Sequence, residues 1–276
     1  MTLDVIVPAT RPSTVDRLLY SFSRNTVRPD CITLVSNEIT DQRSYGLNVR
    51  VVSFTSEHYP IGECDVVLRR NIGIWCSECS HIMTFDDDQI APPRMVEAMV
   101  ALLAYRCYCW GHHRFLDFSR HLLDDILALP ASAGNARERP PNAFHLWLSA
   151  YGGLFGAQTS LLKKMGGFDM IFCGRHAGED QQLGRRLAQL VEGSNRIYVF
   201  EPPFAWHPLE RTAWECRYSN LCRVSHQLAN SHINGIEVRK CAACPYFVAV
   251  SNDLANRELV FRFDPLKVNT TIVRLP

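Results

Sequence analysis

The chain has 276 residues, 47% of them hydrophobic and 21% charged, which argues against intrinsic disorder and allows a substantial core. A formal net charge of +1 excludes a strong overall field toward nucleic acid or membranes. The N-terminus has no basic segment followed by an apolar stretch, and no apolar run reaches membrane-spanning length. We therefore expect a cytoplasmic protein without a transmembrane segment, whose eleven cysteines are mostly reduced.

Short β-rich runs alternate with helix-like segments in the first half of the chain. Strands are predicted at Leu3–Val7, Cys31–Ser36, Val49–Phe54 and His81–Phe85, and helices at Ser13–Asn25 and Cys64–Cys79. This alternation predicts an α/β fold with a mixed, mainly parallel sheet flanked by helices. Such sheets bind their ligands at the carboxyl ends of the strands.

The second half of the chain is less regular. The pattern predicts helices at Arg94–Tyr105, Leu161–Met165 and Glu179–Val191, strands at Cys107–Phe118 and Ile197–Phe200, and a long loop at Pro130–Asn142. From about residue 211 the composition changes, so residues 211–276 are predicted to form a small cysteine-containing extension, which would extend the acceptor-binding surface.

Three consecutive acids, Asp86, Asp87 and Asp88, end the apolar run at His81–Phe85. Crowded carboxylates repel one another unless a cation joins them, and oxygen ligands suit Mg²⁺ or Mn²⁺. The alternative is a solvated turn, since Asp favours turns and strand exits.

Several further motifs accompany these acids in a fixed order. An Arg-Asn-Ile-Gly segment precedes them, and two glycine-rich segments and a Glu-Asp pair that opens a helix follow them. The segments are Arg70–Gly73, Gly152–Gly156, Gly166–Asp169 and Glu179–Leu187. In this order, after an N-terminal Val-Ile-Val-Pro strand, the chain resembles the family 2 glycosyltransferases and the wider GT-A fold over roughly residues 1–210.

The resemblance implies a nucleotide-sugar donor, most simply a UDP-sugar, and a divalent metal, Mn²⁺ or Mg²⁺. Residues 1–105 would form the nucleotide-sugar half and residues 106–210 the acceptor and catalytic half. Asp86 would contact the donor ribose and the metal, Asp88 the metal, and Asp87 either of them. His207 would be a further metal ligand, although a histidine packed beside Trp206 is the plainer interpretation.

The Glu179–Asp180 pair is the predicted catalytic site. A helix N-terminus favours ionised carboxylates, and Asp180 would accept the proton of the acceptor hydroxyl as general base. The alternative is that both acids only cap the helix.

The resemblance also places other residues around the two substrates. On the donor side these are Pro8, Thr10, Arg11, Asn37, Glu38 and Arg70, with Arg70 paired to phosphate; on the acceptor side they are Gly152, Gly153 and Trp206. Each of these residues also suits an ordinary surface or turn. His112 and His113 would form a loop pair near the acceptor or, as the plainer prediction, lie in a solvated turn.

Processive polysaccharide synthases carry a Gln-x-x-Arg-Trp segment and membrane helices, and the sequence shows neither. Transfer of a single sugar is therefore expected, and the resemblance implies that it proceeds with inversion. The acceptor would be a saccharide, another glycoconjugate or a hydroxylated DNA base.

The extension contains Cys216, Cys222, Cys241 and Cys244. The last two are spaced as Cys-Ala-Ala-Cys, which is the spacing of half of a zinc-binding motif. Two interpretations of these cysteines remain: ligands of a structural Zn²⁺, or buried reduced thiols. Two other functions compete with glycosyl transfer: a nucleotidyltransferase, and a non-catalytic zinc or nucleic-acid-binding module. The first would need a glycine-rich, lysine-bearing loop, and Pro8–Pro12 does not supply one.

Overall fold

The structure is a computed structural model that describes residues 1–39, 42–59, 65–136, 153–172, 179–190, 204–208 and 262–275. The strands are β1 (Leu3–Pro8), β2 (Cys31–Val35), β3 (Val49–Thr55), β4 (His81–Phe85), β5 (Tyr108–Trp110), β6 (His112–Leu116), β7 (Asn135–Ala136), β8 (Leu154–Gln158), β9 (Phe204–Pro208) and β10 (Asn269–Arg274). The helices are α1 (Pro12–Ser23), α2 (Val66–Cys76), α3 (Met95–Leu103), α4 (Leu123–Ala128), α5 (Thr159–Met165) and α6 (Glu179–Leu190). Short 3₁₀ turns lie at Phe118–Arg120, Ala131–Ala133, Met170–Phe172 and Pro265–Lys267.

Seven of the described strands form one sheet in the order β10-β3-β2-β1-β4-β8-β5. The four central strands are parallel, and β10, β8 and β5 are each antiparallel to their neighbours. The predicted fold class, a mixed and mainly parallel sheet flanked by helices, is therefore confirmed.

Helices cover both faces of this sheet because its inner strands are apolar on both sides. In β1 every residue is buried: Leu3, Val5 and Val7 pack with α1 and α3, whereas Ile6 packs with α2, α5 and α6. The alternation follows from the two-residue repeat of a strand. Central parallel strands are consequently held rigidly, which fixes the loops at their carboxyl ends.

Helix α2 approaches β1 unusually closely at Gly73. A Cβ atom at this position would overlap with the side chain of Ile6 and would lie 3.3 Å from Val35. The neighbouring Asn71 reaches across to the chain after α5, where its amide donates to Phe168 O (2.8 Å) and accepts from Phe168 N (2.8 Å). The Arg-Asn-Ile-Gly motif therefore sets the distance from α2 to β1, through Gly73, and from α2 to the chain after α5, through Asn71.

A second, three-stranded sheet in the order β7-β6-β9 lies beyond β4. It is joined to the segment that follows β4 and the three acids by paired backbone hydrogen bonds between Ile90 and Trp206, each 2.9 Å. This bridge brings β9 close to the three acids. Among the described helices, none is long and apolar enough to cross a membrane.

Several elements differ from the sequence-based predictions. The segment predicted as one strand at Cys107–Phe118 is two strands, β5 and β6, which part at Gly111 and join different sheets. The predicted loop at Pro130–Asn142 holds a 3₁₀ turn and β7 in its described part. Strand β10, from the predicted extension, is the edge strand of the main sheet, while the predicted strand Ile197–Phe200 lies outside the described residues.

We predict that Gly73→Ala destabilises the protein. Alanine normally stabilises a helix interior relative to glycine, but here the added methyl group must displace Ile6, and overpacking of this kind costs about 1–3 kcal/mol. Urea unfolding would measure the change, with the exposed helix variant Ser13→Ala as control. A Gly73→Ala protein as stable as the wild type would contradict the close approach of α2 and β1.

Candidate active site

The loop after β1 and the acids after β4 lie at the same edge of the sheet because the two strands are parallel neighbours. Asp87 is buried and joins them. Its carboxylate accepts hydrogen bonds from Thr10 N (2.7 Å), Thr10 Oγ1 (3.0 Å) and Arg11 N (2.8 Å), and it pairs with the Arg11 guanidinium. Asp87 thus acts first as the group that shapes the Pro8–Arg11 loop.

Asp88 is nearly buried and also contacts Arg11, whose Nη1 lies 2.8 Å from Asp88 Oδ2. Its backbone carbonyl accepts a hydrogen bond from Arg17 Nη2 at 3.3 Å. Burial lowers the pKa of Arg17, whereas for Arg11 the attraction of Asp87 and Asp88 outweighs burial and raises the pKa. Both guanidiniums remain charged at neutral pH, because the ordinary pKa of arginine lies far above neutrality.

Asp86 is the most open of the three acids, with 27% of its side chain exposed. Arg70 Nη2 donates to Asp86 Oδ1 at 2.9 Å. On its other side Asp86 faces Gly153, where a Cβ atom would overlap the carboxylate, and Gln89, whose Nε2 lies 3.5 Å away. The glycine therefore makes room for this carboxylate.

Arg70 connects the strand-end acids to the Glu-Asp pair. Its Nη1 lies 3.1 Å from Asp180 Oδ1 and 3.4 Å from Glu179 Oε1, and its Nη2 holds Asp86. The side chain is only 4% exposed, and the guanidinium lies over the Phe168 ring, 5.3 Å from its centroid. Burial alone would lower the pKa of Arg70, but the three carboxylates together raise it above its usual range.

Glu179 and Asp180 are the first two residues of α6, as predicted. Burial raises the pKa of Glu179, and Arg70 opposes this effect. Asp180 keeps 22% of its side chain exposed. Of the two acids, Asp180 is therefore the one that a molecule entering from solvent reaches more easily.

The other predicted site residues have varied positions. Pro8 is buried at the end of β1, and the exposed Asn37 accepts a hydrogen bond from Phe54 N (2.7 Å) beside the exposed Glu38. Trp206 is fully buried in an apolar cluster, so it has no exposed surface to offer an acceptor. The backbone of His207 is in β9, next to the Ile90–Trp206 bridge and therefore opposite Gln89.

Some of the predicted residues lie outside the described part of the chain. These are Gly152 and the tail cysteines Cys216, Cys222, Cys241 and Cys244. Among the described cysteines, Cys31, Cys76, Cys79, Cys107 and Cys109 are free thiols.

Three residues of the site were not found from the sequence. His113 was predicted in a solvated turn, which was wrong: it is buried in β6, with Nε2 3.0 Å from Gln89 Nε2. Gln89 thereby lies between Asp86 and His113, and Arg17 reaches the site from α1. The position of Gln89 directly after Asp88 in the sequence could have indicated that it belongs to the site. His113 and Arg17 could not be found in this way, because only tertiary contacts bring them to the acids.

The groups joined by these contacts carry unbalanced charge. Five carboxylates (Asp86, Asp87, Asp88, Glu179 and Asp180) meet three guanidiniums (Arg11, Arg17 and Arg70), a formal excess of two negative charges when every acid is ionised. This donor chemistry fits a hard divalent cation. In the part of the chain that the structure describes, no three His, Cys, Asp or Glu side chains are arranged as a metal site.

Comparisons with known proteins extend these observations at the level of the fold. No protein-family model and no curated protein sequence matches the chain. Among solved structures, S. aureus TarS 1–349 in complex with UDP is similar with a TM-score of 0.52 and 15% identity, over 75% of this chain and 60% of that one. The same fragment in complex with UDP-GlcNAc is similar with a TM-score of 0.52 and 16% identity, over 76% of this chain and 59% of that one.

A mannosyltransferase structure gives a similar result over more of the chain. The mannosyltransferase PcManGT from Pyrobaculum calidifontis, in complex with GDP-Man and Mn²⁺, has a TM-score of 0.50 and 15% identity, over 92% of this chain and 68% of that one. The chain thus spans less than two thirds of the TarS fragment and 68% of PcManGT. The protein has the GT-A fold that glycosyltransferases of this kind share.

Proposed function

We propose that the protein is a metal-dependent, inverting glycosyltransferase that moves one sugar from a nucleotide-sugar, most simply a UDP-sugar, to an acceptor hydroxyl. The observation that carries the proposal is the Arg70 cluster. It brings an acid from the end of β4 and the first acids of α6 together, within a GT-A fold. The similar structures that contain UDP, UDP-GlcNAc or GDP-Man support a nucleotide-sugar donor.

The donor would lie along the carboxyl ends of β1, β2 and β4. There Pro8, Thr10, Arg11, Asn37 and Glu38 offer backbone and polar groups to the base and ribose, with Asp86 and Asp87 beside them. Asp87 would act through the loop that it holds.

A divalent cation, Mn²⁺ or Mg²⁺, would be held by Asp88 and Asp86, with His207 as a further ligand. The excess negative charge of the acids supports this assignment, as does the Mn²⁺ bound by PcManGT. When bound, the ion neutralises the charge that develops on the leaving diphosphate.

Asp180 would be the general base. In a single displacement, the acceptor oxygen forms a bond to the anomeric carbon while the bond from that carbon to the diphosphate oxygen breaks. The electron pair leaves with the diphosphate, and the hydroxyl proton passes to Asp180. Asp180 is partly exposed, so the acceptor hydroxyl can reach it, and its contact with the buried Arg70 favours the ionised carboxylate that a base requires. Glu179 lies beside it in the same helix turn.

The acceptor would bind on the side of Gly152, Gly153 and the β5–β6 segment. A saccharide, another glycoconjugate or a hydroxylated DNA base each supplies the required hydroxyl. A panel of UDP-, GDP- and TDP-sugars, followed by each class of acceptor, would identify both substrates.

We predict that Asp180→Asn lowers the rate of sugar transfer about 100-fold or more while UDP-sugar binding stays within a few-fold of wild type. The substitution keeps the shape of the side chain and removes its basicity. Steady-state kinetics and calorimetry would measure the two effects. Asp125→Asn, an exposed acid in the first turn of α4, is the matched control; full transfer by Asp180→Asn would rule out its role as base.

Removal of divalent ions should weaken donor binding and stop turnover. With the ion gone, the donor diphosphate faces the excess carboxylates, so we expect EDTA to weaken UDP binding about tenfold or more and added Mn²⁺ to restore it. Equal UDP affinity with and without EDTA would count against a metal at Asp86 and Asp88.

Gly153→Ala should disturb the donor site without unfolding the protein, because its methyl group would meet the Asp86 carboxylate and Gln89 Nε2. We expect UDP-sugar affinity to fall about tenfold. Gly156→Ala is the matched control, since its methyl group would meet Met99 Sδ (2.7 Å) in the core and should lower stability instead. Equal effects of the two variants on affinity would contradict the contact with Asp86.

A further inference from the structure

We infer that Arg70 is a positioning residue that holds Asp86 and Asp180 in fixed relation to each other, and is not a ligand of the donor phosphate. The inference rests on the proposed function. It departs from the sequence-based expectation, which paired this arginine with phosphate.

The contacts of the guanidinium support this role. Nη2 donates to Asp86 at 2.9 Å, and Nη1 reaches Asp180 at 3.1 Å and Glu179 at 3.4 Å. The planar fork of arginine directs its N–H groups along set directions, so two acids on different Nη atoms keep a defined spacing. A phosphate group would have to displace carboxylates to reach the same N–H groups.

The guanidinium is itself held in place by the surrounding fold. Phe168 stacks on it at 5.3 Å. The backbone N–H and C=O of Phe168 are both hydrogen-bonded to the side-chain amide of Asn71, the residue after Arg70. Gly166 and Gly167 let the chain turn toward Asn71, with φ angles of 83° and 70°.

Arg186 supports this turn from α6. It donates to Gly167 O (3.0 Å) and Met165 O (2.5 Å). The Arg-Asn-Ile-Gly motif, the Gly-Gly-Phe-Asp motif and the Glu-Asp helix are therefore one connected support for Arg70.

Arg70 also reduces the electrostatic repulsion among the acids of the site. Asp86, Glu179 and Asp180 would repel one another without a cation between them, and Arg70 is a permanent one. It keeps Asp180 beside the strand-end acids whether or not a divalent ion is bound.

The adjacent Arg69 has a different role from Arg70, because its side chain contacts other parts of the fold. Its guanidinium pairs with Asp65 (2.6 Å) and donates to the carbonyls of Ala9 and Val35 (both 3.1 Å), so it supports the β1 and β2 ends. Two neighbouring arginines on α2 thus serve the sheet and the site separately.

The experiment uses Arg70→Ala with guanidinium added in solution. At saturating UDP-sugar and Mn²⁺ we expect the variant to lose about 100-fold in kcat. UDP affinity should fall only about tenfold, which is the part that acts through Asp86. Guanidinium should restore kcat substantially, whereas urea, its uncharged counterpart of similar shape, should not. In an Asp180→Asn background, the Arg70→Ala change should lower kcat little further, because both act on the same step.

The opposite pattern would overturn the inference: loss of UDP affinity with kcat retained at saturating donor, or equal rescue by urea. If Arg70→Ala does not fold, Arg70→Lys provides the same test. Its compact charge cannot span both acids, so kcat should fall about tenfold, and wild-type kcat with lysine would refute the need for a fork. Wild-type protein assayed in parallel separates the two claims, because absence of transfer by the wild type refutes the proposed function itself.

Discussion

The ion contacts of Arg70 join three segments that lie far apart in sequence. They link α2, the end of β4 and the start of α6, and each of these segments is fixed independently by the core. A buried guanidinium requires partners for its N–H groups, and removal of Arg70 would leave three carboxylates without the cation that they share. The geometry of the site therefore follows from a requirement of stability.

The same interaction separates the roles of the three consecutive acids. Asp87 lies among backbone N–H groups and Arg11, and it holds the loop after β1. Asp86 faces the opposite way, toward Arg70 and Gly153. Successive side chains of a chain that leaves a strand point in different directions, so one short acidic run can both build a loop and present a carboxylate to a ligand.

Much of this fold was predictable because its central strands and helices have strong local patterns. The alternation of apolar runs and amphipathic segments gave β1 to β4 and α1 to α3 to within a few residues. Glu179 at the start of α6 was predicted from its sequence position. The observed ends of the helices differ from the predicted ends by up to three residues, because the residues near a helix end do not by themselves determine where it stops.

The remaining features depend on contacts between distant residues. Gly111 divides one apolar stretch between two sheets, and no local pattern shows which half pairs with β8 and which with β9. The burial of Trp206 and His113 and the choice of carboxylate partners for Arg70 likewise depend on the packing of separate elements. The motifs indicated which residues belong to the site, but the tertiary structure decides which of them contact one another.

The most direct test of a metal-assisted nucleotide-sugar site is a crystal structure with UDP and Mn²⁺, using anomalous diffraction at the manganese absorption edge. A divalent ion held as proposed would give one strong anomalous peak at the carboxylate of Asp88, beside the UDP diphosphate, with Arg70 still between Asp86 and Asp180. A diphosphate bound to the Arg70 guanidinium, or UDP seated at the strand ends with no manganese peak near Asp88, would contradict the proposal.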